Sequence, residues 1–189
     1  GYQQVQGDQY AALYSETVTV QLENDFLPFL YPNQYVNFTP DSKASQLALS
    51  LIDEDTVDVD ALQQIYDYVV SNLTYDYEKA DTVTTGYLPD VDETLKTGTG
   101  ICFDYAALTT AMLRSCDIPC KLQIGYAGDI KHAWIDVYIR SKGWVNQAVS
   151  FKGDTWTLMD PTFDSNSDDK EAIQDYIGDE SNYTVQFTR

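Results

Sequence analysis

The sequence is poor in basic residues and contains a single histidine. Among its 189 residues, 11 lysines and arginines stand against 30 aspartates and glutamates, which gives a formal net charge of -19. A chain with so few cations would repel the phosphate backbone of a nucleic acid and an anionic lipid surface. We therefore expect no nucleic-acid partner, and we interpret the acidity as that of a soluble protein kept apart by self-repulsion.

Long apolar runs and a leader sequence are also missing. No apolar run approaches the roughly 20 residues needed to cross a bilayer, so we expect no transmembrane segment. The chain begins at Gly1 without a basic and then apolar leader, as if a targeting segment had been removed. Its 15 tyrosines and few lysines resemble exported bacterial proteins. We expect an extracytoplasmic protein, secreted or at the cell surface, and a monomer.

The length allows one domain with an extension. Residues 1–40 include an aromatic and proline-rich run, Phe26 to Pro32, which suits neither a long helix nor a central strand. We predict that residues 1–40 form an N-terminal extension packed on a domain of residues 41–189.

Periodicity predicts an α+β domain with helices segregated from an antiparallel sheet. The predicted helices are 42–52, 59–73 with Asp58 as cap, 102–116 and 170–177. The predicted strands are 120–126, 132–140, 143–149, 155–160 and 183–188, and short connections between the first four favour antiparallel pairing. Residues 76–99 are predicted to be an irregular polar loop that leads to Cys102.

The three cysteines differ in their surroundings. Cys102 follows Gly98 and Gly100 at a predicted helix start, where the helix dipole lowers a thiol pKa and free N-H groups could hold an oxyanion. The alternative is a small apolar residue at a helix start. Cys116 and Cys120 are expected to be buried thiols without a bridge, although their spacing leaves a local disulfide open.

The only histidine, His132, lies in a strongly alternating segment. A lone histidine is usually structural or simply exposed, but this one shares the polar side of its strand with a tryptophan. The alternation predicts an apolar face of Ala133, Ile135, Val137 and Ile139 and an opposite face of His132, Trp134, Asp136 and Tyr138.

A catalytic histidine needs a group that orients its ring. Asp136 lies four residues along the same strand from His132, about 13 Å away, which is beyond hydrogen-bond reach. Asp160 ends another predicted strand. If that strand neighbours the one that carries His132, Asp160 can accept a proton from the ring and fix its tautomer.

Four segments in series resemble the bacterial transglutaminase-like family. They are Gly100-Ile101-Cys102-Phe103-Asp104-Tyr105-Ala106, Gly125-Tyr126, His132-Ala133-Trp134 and Asp160-Pro161-Thr162-Phe163-Asp164. The similarity runs from about Asp58, through Leu73-Thr74-Tyr75-Asp76, to about Asp164. It implies a papain-like core whose central helix carries Cys102 and packs on an antiparallel sheet.

The resemblance also implies a chemistry. Cys102 would be the nucleophile, His132 the general base and acid, and Asp160 the group that orients the ring, with reaction through a thioester and without a cofactor. Family members include protein crosslinkers, peptidases and amidases, so the substrate is expected to be a protein or a cell-wall peptide. Tyr75 is the candidate second oxyanion donor. Trp134 and Gly100 are candidates for the substrate cleft.

Two positions depart from the family pattern. Phe103 stands where crosslinking members often carry tryptophan, which weakens a crosslinking assignment, and Asp117 stands where a glycine is usual. A catalytically silent binding or structural module at the cell surface is the alternative to an enzyme. An acidic cleft would suit basic or neutral peptides.

A further acidic segment has calcium-loop spacing but lacks the glycine and the final glutamate that such a loop requires. Its residues are Asp164, Asn166, Asp168 and Asp175. We interpret it as a solvated loop and expect no metal.

Overall fold

A computed structural model describes residues 2–6, 9–53, 55–146, 149–152, 155–158 and 183–189. Its helices are α1 (Lys43–Leu51), α2 (Asp58–Asn72), α3 (Tyr77–Thr82), α4 (Val91–Thr97) and α5 (Cys102–Ser115), besides a short 3-10 helix at Leu27–Phe29. The predictions for α1, α2 and α5 are confirmed to within a residue at each end, while the predicted helix 170–177 lies outside the described residues. None of the described helices is both long and apolar enough to cross a membrane.

The strands that the structure describes form one main sheet and three two-stranded pairs. They are β1 (Tyr2–Gln6), β2 (Gln9–Ala12), β3 (Thr74–Tyr75), β4 (Thr99–Gly100), β5 (Cys120–Ala127), β6 (Ile130–Ile139), β7 (Gly143–Val145), β8 (Val149–Lys152), β9 (Thr155–Leu158) and β10 (Tyr183–Thr188). The main sheet has the order β10-β5-β6-β7, and all three of its ladders are antiparallel. The predicted antiparallel sheet is therefore present.

Helix α5 packs on one face of this sheet and forms the centre of the core. Its sequence is rich in alanine and leucine, which favour helix, and apolar residues occur on all sides, as in a helix that is buried all round. The apolar face predicted for β6 is confirmed, because Ala133, Ile135, Val137 and Ile139 all belong to the buried core. The chain thus has an α+β fold with a central cysteine-bearing helix on an antiparallel sheet.

The four consecutive strands predicted after Cys120 do not form one sheet. β7 ends at Val145, and within the described residues β8 and β9 pair only with each other. The neighbours of β6 are β5 and β7. The prediction was wrong here because short connections set a pairing direction but do not force each new strand onto the same sheet.

The prediction of an irregular polar loop for residues 76–99 was also wrong, because this segment contains α3 and α4. The Asp76 carboxylate accepts a hydrogen bond from the Lys79 backbone N-H (2.8 Å), and that of Asp90 accepts from the N-H groups of Asp92 and Glu93. Each aspartate thus caps a short helix. The Asp90-x-x-Glu93 spacing was the signal for α4.

The expected cap of α2 has another role. Asp58 is the first residue of the helix rather than its N-cap, which is Val57. Its carboxylate accepts a hydrogen bond from the backbone N-H of Arg140 (3.1 Å). Asp58 thereby joins α2 to the end of β6.

Helix α5 ends in a turn suited to glycine. Asp117 has a φ of 57°, in the left-handed region. Its N-H donates to the carbonyl of Arg114, and the N-H of Ile118 donates to that of Leu113. This is a Schellman termination, in which the left-handed position is usually glycine. The geometry explains why the resembling family has glycine at the position of Asp117.

The N-terminal segment contacts the far face of the sheet. The Phe26 ring lies 4.5 Å from that of Tyr138, and the Phe29 ring lies 5.4 Å from that of Trp144. The boundary at residue 40 remains a prediction.

Candidate active site

One cavity of about 650 Å³ brings together two of the three predicted catalytic residues. Cys102 lies on its wall at the start of α5, and His132 lies on the wall near the start of β6. The third residue, Asp160, lies outside the described residues. The cavity opens between the helix start, the 80–88 segment and the sheet.

The backbone before Cys102 is fixed on both sides. β4 pairs in parallel with β3, so that Gly100 lies beside Tyr75, and the Asp76 N-H donates to the Gly100 carbonyl (2.9 Å). The Asp104 carboxylate then accepts the Ile101 N-H (2.8 Å) and caps the helix. Cys102 is therefore the first residue of α5 and is partly exposed.

His132 is packed from behind. It is only 6% exposed, and its ring is stacked with that of Trp134 at 6.3 Å between centroids. Gly125 lies opposite it on β5. A Cβ on Gly125 would lie 1.9 Å from the Thr184 carbonyl oxygen and 3.0 Å from the Trp134 ring. The glycine thus lets β10 and the tryptophan approach closely behind the histidine.

The carboxylates considered as partners of His132 lie elsewhere or outside the described residues. Asp136 is buried and accepts a hydrogen bond from the side chain of Gln123, whose amide oxygen accepts from Thr188. The exclusion of Asp136 on distance remains a prediction. The strand that leads to Asp160 is β9, which in the described part of the chain pairs with β8 and not with β6. The role of Asp160 remains a prediction.

The other predicted site residues occupy different places. Tyr75 lies on the cavity wall, with its ring 5.0 Å from that of Tyr77. Trp134 is 2% exposed and lies behind His132. Gly100 is buried below the helix start, where a Cβ would lie 2.7 Å from the Cβ of Asp104. Its small size accommodates the capping aspartate.

A buried charge network below Cys102 was missed by the sequence analysis. Asp104 is fully buried and accepts hydrogen bonds from the Lys79 ammonium (2.7 Å) and the Tyr87 hydroxyl, besides the Ile101 N-H. Tyr87 in turn packs edge-on against the Phe103 ring, 6.3 Å between centroids. Asp104 at the third position of the helix was a cap signal, but its distant partners leave no mark in the sequence.

The network changes the proton affinity of its members. Burial lowers the pKa of Lys79, but its hydrogen bonds to Asp104 and Tyr87 outweigh this effect and raise the pKa overall. Burial and the hydrogen bond to Asp104 raise the pKa of Tyr87. Both side chains therefore hold their protons more firmly than usual.

The remaining two cysteines are free thiols, as expected, and are held protonated. Burial raises the pKa of Cys116 to about 11 and that of Cys120 to about 12. Neither lies on the cavity wall. Of the three thiols, Cys102 is the one that lines the cavity.

The part of the cavity wall that the structure describes differs from the acidic cleft considered from the net charge. Among the described residues that line it there is no aspartate or glutamate, whereas Lys131 and Arg189 both lie on it. Aromatic side chains, including Tyr35 and Phe187, supply much of the remaining surface.

Comparisons with known proteins agree with this architecture. The sequence pattern described as the transglutaminase-like superfamily matches residues 45–161, more than half of the chain. A solved structure of a candidate cysteine protease from Cytophaga hutchinsonii shares the fold, with a TM-score of 0.58 and 22% identity over 89% of this chain and 48% of that one. The periplasmic domain of TgpA from Pseudomonas aeruginosa gives a TM-score of 0.49 and 19% identity over 69% of this chain and 46% of that one.

One curated relative is similar over a shorter stretch. UPF0252 protein MJ1282 of Methanocaldococcus jannaschii is 36% identical over 62 residues, which are 30% of this chain and 18% of that protein. The chain thus spans less than half the length of these relatives. Through the match that covers most of its domain, the chain belongs to the transglutaminase-like superfamily.

Proposed function

We propose that the protein is a cysteine-dependent enzyme that cleaves or transfers the acyl group of an amide, either a peptide bond or a glutamine side chain. The observation that carries the proposal is the shared cavity of Cys102 and His132, with the thiol at a helix start. A partly exposed cysteine at a helix start and an imidazole in one water-accessible cavity are what this chemistry needs. Family membership supports the same reading.

The reaction has two halves. The Cys102 thiolate attacks the amide carbonyl carbon, and the π electrons of the carbonyl move to its oxygen, where the Cys102 N-H and the Tyr75 hydroxyl are the proposed donors. The protonated His132 gives its proton to the leaving nitrogen as the C-N bond breaks, which leaves a thioester. Water or a second amine, deprotonated by His132, then attacks the thioester and releases the thiolate. Hydrolysis and crosslinking differ only in this second nucleophile.

The Asp160 carboxylate is proposed to hold the far ring nitrogen of His132. Asp160→Asn should therefore leave residual turnover, whereas loss of either Cys102 or His132 should abolish it as completely as loss of both. An extracytoplasmic location is proposed as well, on the composition alone. Both proposals concern a chain that spans less than half the length of the two solved structures compared above.

The test of the proposal is the pH dependence of alkylation at Cys102. If His132 stabilises the thiolate, iodoacetamide should label Cys102 at pH 6 nearly as fast as at pH 8. A thiol with the ordinary pKa of about 8.5 is only about 0.3% ionised at pH 6. His132→Gln should therefore slow labelling at pH 6 by about 100-fold, with a much smaller effect at pH 9. Mass spectrometry of the Cys102 peptide gives both rates.

The matched control is Cys116→Ala, which removes a thiol outside the cavity and should leave the Cys102 profile unchanged. Equal rates at pH 6 for the native chain and His132→Gln would refute the thiolate-imidazolium pair. Once a substrate is found, native turnover by Cys102→Ala would refute the covalent mechanism and leave a binding module.

A further inference from the structure

The described wall of the catalytic cavity carries cations in a strongly acidic chain. The protein has 30 acidic and 11 basic residues, yet the described lining includes Lys131 and Arg189 and no aspartate or glutamate. We propose that the cavity selects an acyl substrate that bears a carboxylate near the scissile amide, held by Arg189 with Lys131 as a second cation. This specificity rests on the thiol chemistry proposed above.

Arg189 is held in place before any ligand arrives. Its backbone N-H donates to the Leu122 carbonyl (2.8 Å), and its carbonyl accepts from the Leu122 N-H (2.9 Å). The carbonyl also accepts a hydrogen bond from the Arg114 side chain (3.0 Å). The position of Arg189 on the sheet is therefore fixed by three hydrogen bonds to its main chain.

The guanidinium of Arg189 is also oriented. It lies 4.8 Å from the centre of the Tyr35 ring and 5.1 Å from that of Phe187. Its Nε is buried and has no hydrogen-bond partner among the described residues. A buried donor without a partner costs free energy, which an incoming anion would recover. The planar fork of arginine fits a carboxylate through two parallel hydrogen bonds.

Lys131 brings the second cation close to the reacting groups. It directly precedes His132 on β6, and its exposed side chain lies on the cavity wall. Among the described residues, the buried carboxylate near the helix start, Asp104, is already bonded to Lys79 and so does not oppose the two cations. The Asp160 carboxylate proposed above would be bonded to the His132 ring. An anion on the substrate would thus meet two positive charges in the cavity that Cys102 also lines, while the net charge of the chain repels anions elsewhere.

Three alkylating dipeptide analogues test the proposal: bromoacetyl-Glu-amide, with a side-chain carboxylate; bromoacetyl-Gln with a free terminal carboxylate; and neutral bromoacetyl-Gln-amide. All react with a thiol through the same carbon, and rates with glutathione correct for intrinsic reactivity. Labelling of Cys102 should be faster with at least one anionic probe than with the neutral one. The faster anionic probe distinguishes an acidic side chain from a chain terminus.

The variants assign the preference to its residues. Arg189→Gln should lower the anionic-to-neutral rate ratio by about 5-fold or more, as expected for loss of a charge-assisted hydrogen bond. Lys131→Gln should lower it by about 2-fold, since an exposed lysine is screened by solvent. Arg189→Lys should restore part of the preference. The matched control is Arg140→Gln, because Arg140 is exposed and lies eight residues along the chain from His132, about 26 Å at the rise of a strand.

Two outcomes would overturn the proposal while the thiol chemistry stands. One is equal labelling by anionic and neutral probes, and the other is a fall of the ratio in Arg140→Gln as large as in Arg189→Gln, which would indicate net charge alone. Failure of all three probes to label Cys102, with glutathione still reactive, would instead refute the proposed function. A lower ratio in Arg189→Gln with an unchanged neutral rate supports the carboxylate site.

Discussion

Asp104→Asn should reveal how strongly the charge network supports the cysteine-bearing helix. The substitution keeps the size of the side chain but removes its charge. Asp104 accepts from three donors, on Ile101, Lys79 and Tyr87, and is fully buried. An asparagine has one oxygen and one NH₂ group, so the position of one accepting oxygen would be taken by a donor and the hydrogen bond accepted there would be lost. The Lys79 ammonium would also lose its counter-charge.

The magnitude follows from burial. Removing one partner of a buried ion pair costs about 3 to 5 kcal/mol. The Lys79 side chain is 30% exposed and can recover part of its hydration, so we expect the low end, about 3 kcal/mol. In a domain of this size that loss corresponds to a fall of about 6 to 12 °C in the melting temperature.

Urea unfolding followed by circular dichroism measures the effect, with Glu93→Gln as the matched control. The Glu93 carboxylate lies 2.8 Å from the Lys96 ammonium, nearly the distance in the Asp104–Lys79 pair, but both members of the Glu93–Lys96 pair are exposed. The control should change stability by less than about 0.5 kcal/mol. Adding Lys79→Met to Asp104→Asn should restore about 1 to 2 kcal/mol of the lost free energy of unfolding, because the second substitution removes the ammonium that has lost its partner. A loss in Asp104→Asn no larger than in Glu93→Gln would refute the reasoning.

Three further predictions follow from the same geometry. At pH 8 the raised pKa values of half-buried Cys116 and buried Cys120 leave each with at least about 100-fold less thiolate than an ordinary thiol. Iodoacetamide should therefore label both only slowly in the native fold, and rapid labelling would contradict the raised pKa values. Asp117→Gly should raise the free energy of unfolding by about 0.5 to 1 kcal/mol, because glycine adopts the left-handed turn without strain; a lower urea midpoint would count against this. Since the pKa values of Lys79 and Tyr87 are raised, the folded chain keeps protons that the unfolded chain releases. The contribution of these two groups to the free energy of unfolding is therefore complete below about pH 10 and is lost as the pH rises further. Urea midpoints from pH 9 to 11 should fall less steeply in Tyr87→Phe than in the native chain, and equal slopes would contradict a role for Tyr87.

The sequence predicted those elements whose pattern is set by one buried face. α2 shows apolar residues at helical spacing, and β6 alternates between a core face and a face that carries His132. Burial of one face imposes such a period, so the bounds were right to within about two residues. The short helices α3 and α4 bury few residues, and only their aspartate caps mark them.

The partners of each site residue could be predicted less well than the residues themselves. Cys102 and His132 carry local signals, a helix start and an alternating strand. The bonds from Lys79 and Tyr87 to Asp104 join positions 25 and 17 residues apart, and no local pattern records such a contact. The same limit applies to β9, whose composition indicates a strand but not that its partner is β8.

The sign of the charge at the site also depends on contacts between residues that are far apart in the sequence. Lys131 is adjacent to His132, so one cation near the reacting groups was visible in the sequence. Arg189 reaches the cavity only because β10 pairs with β5, and that pairing requires Gly125, where any side chain would meet the Thr184 carbonyl. A net charge of -19 describes the field far from the protein, whereas a substrate within a few ångströms responds to the residues that line the cavity. The overall acidity and a preference for anionic substrates are therefore compatible, and substitutions at Arg189 should alter that preference while substitutions at distant charges leave it unchanged.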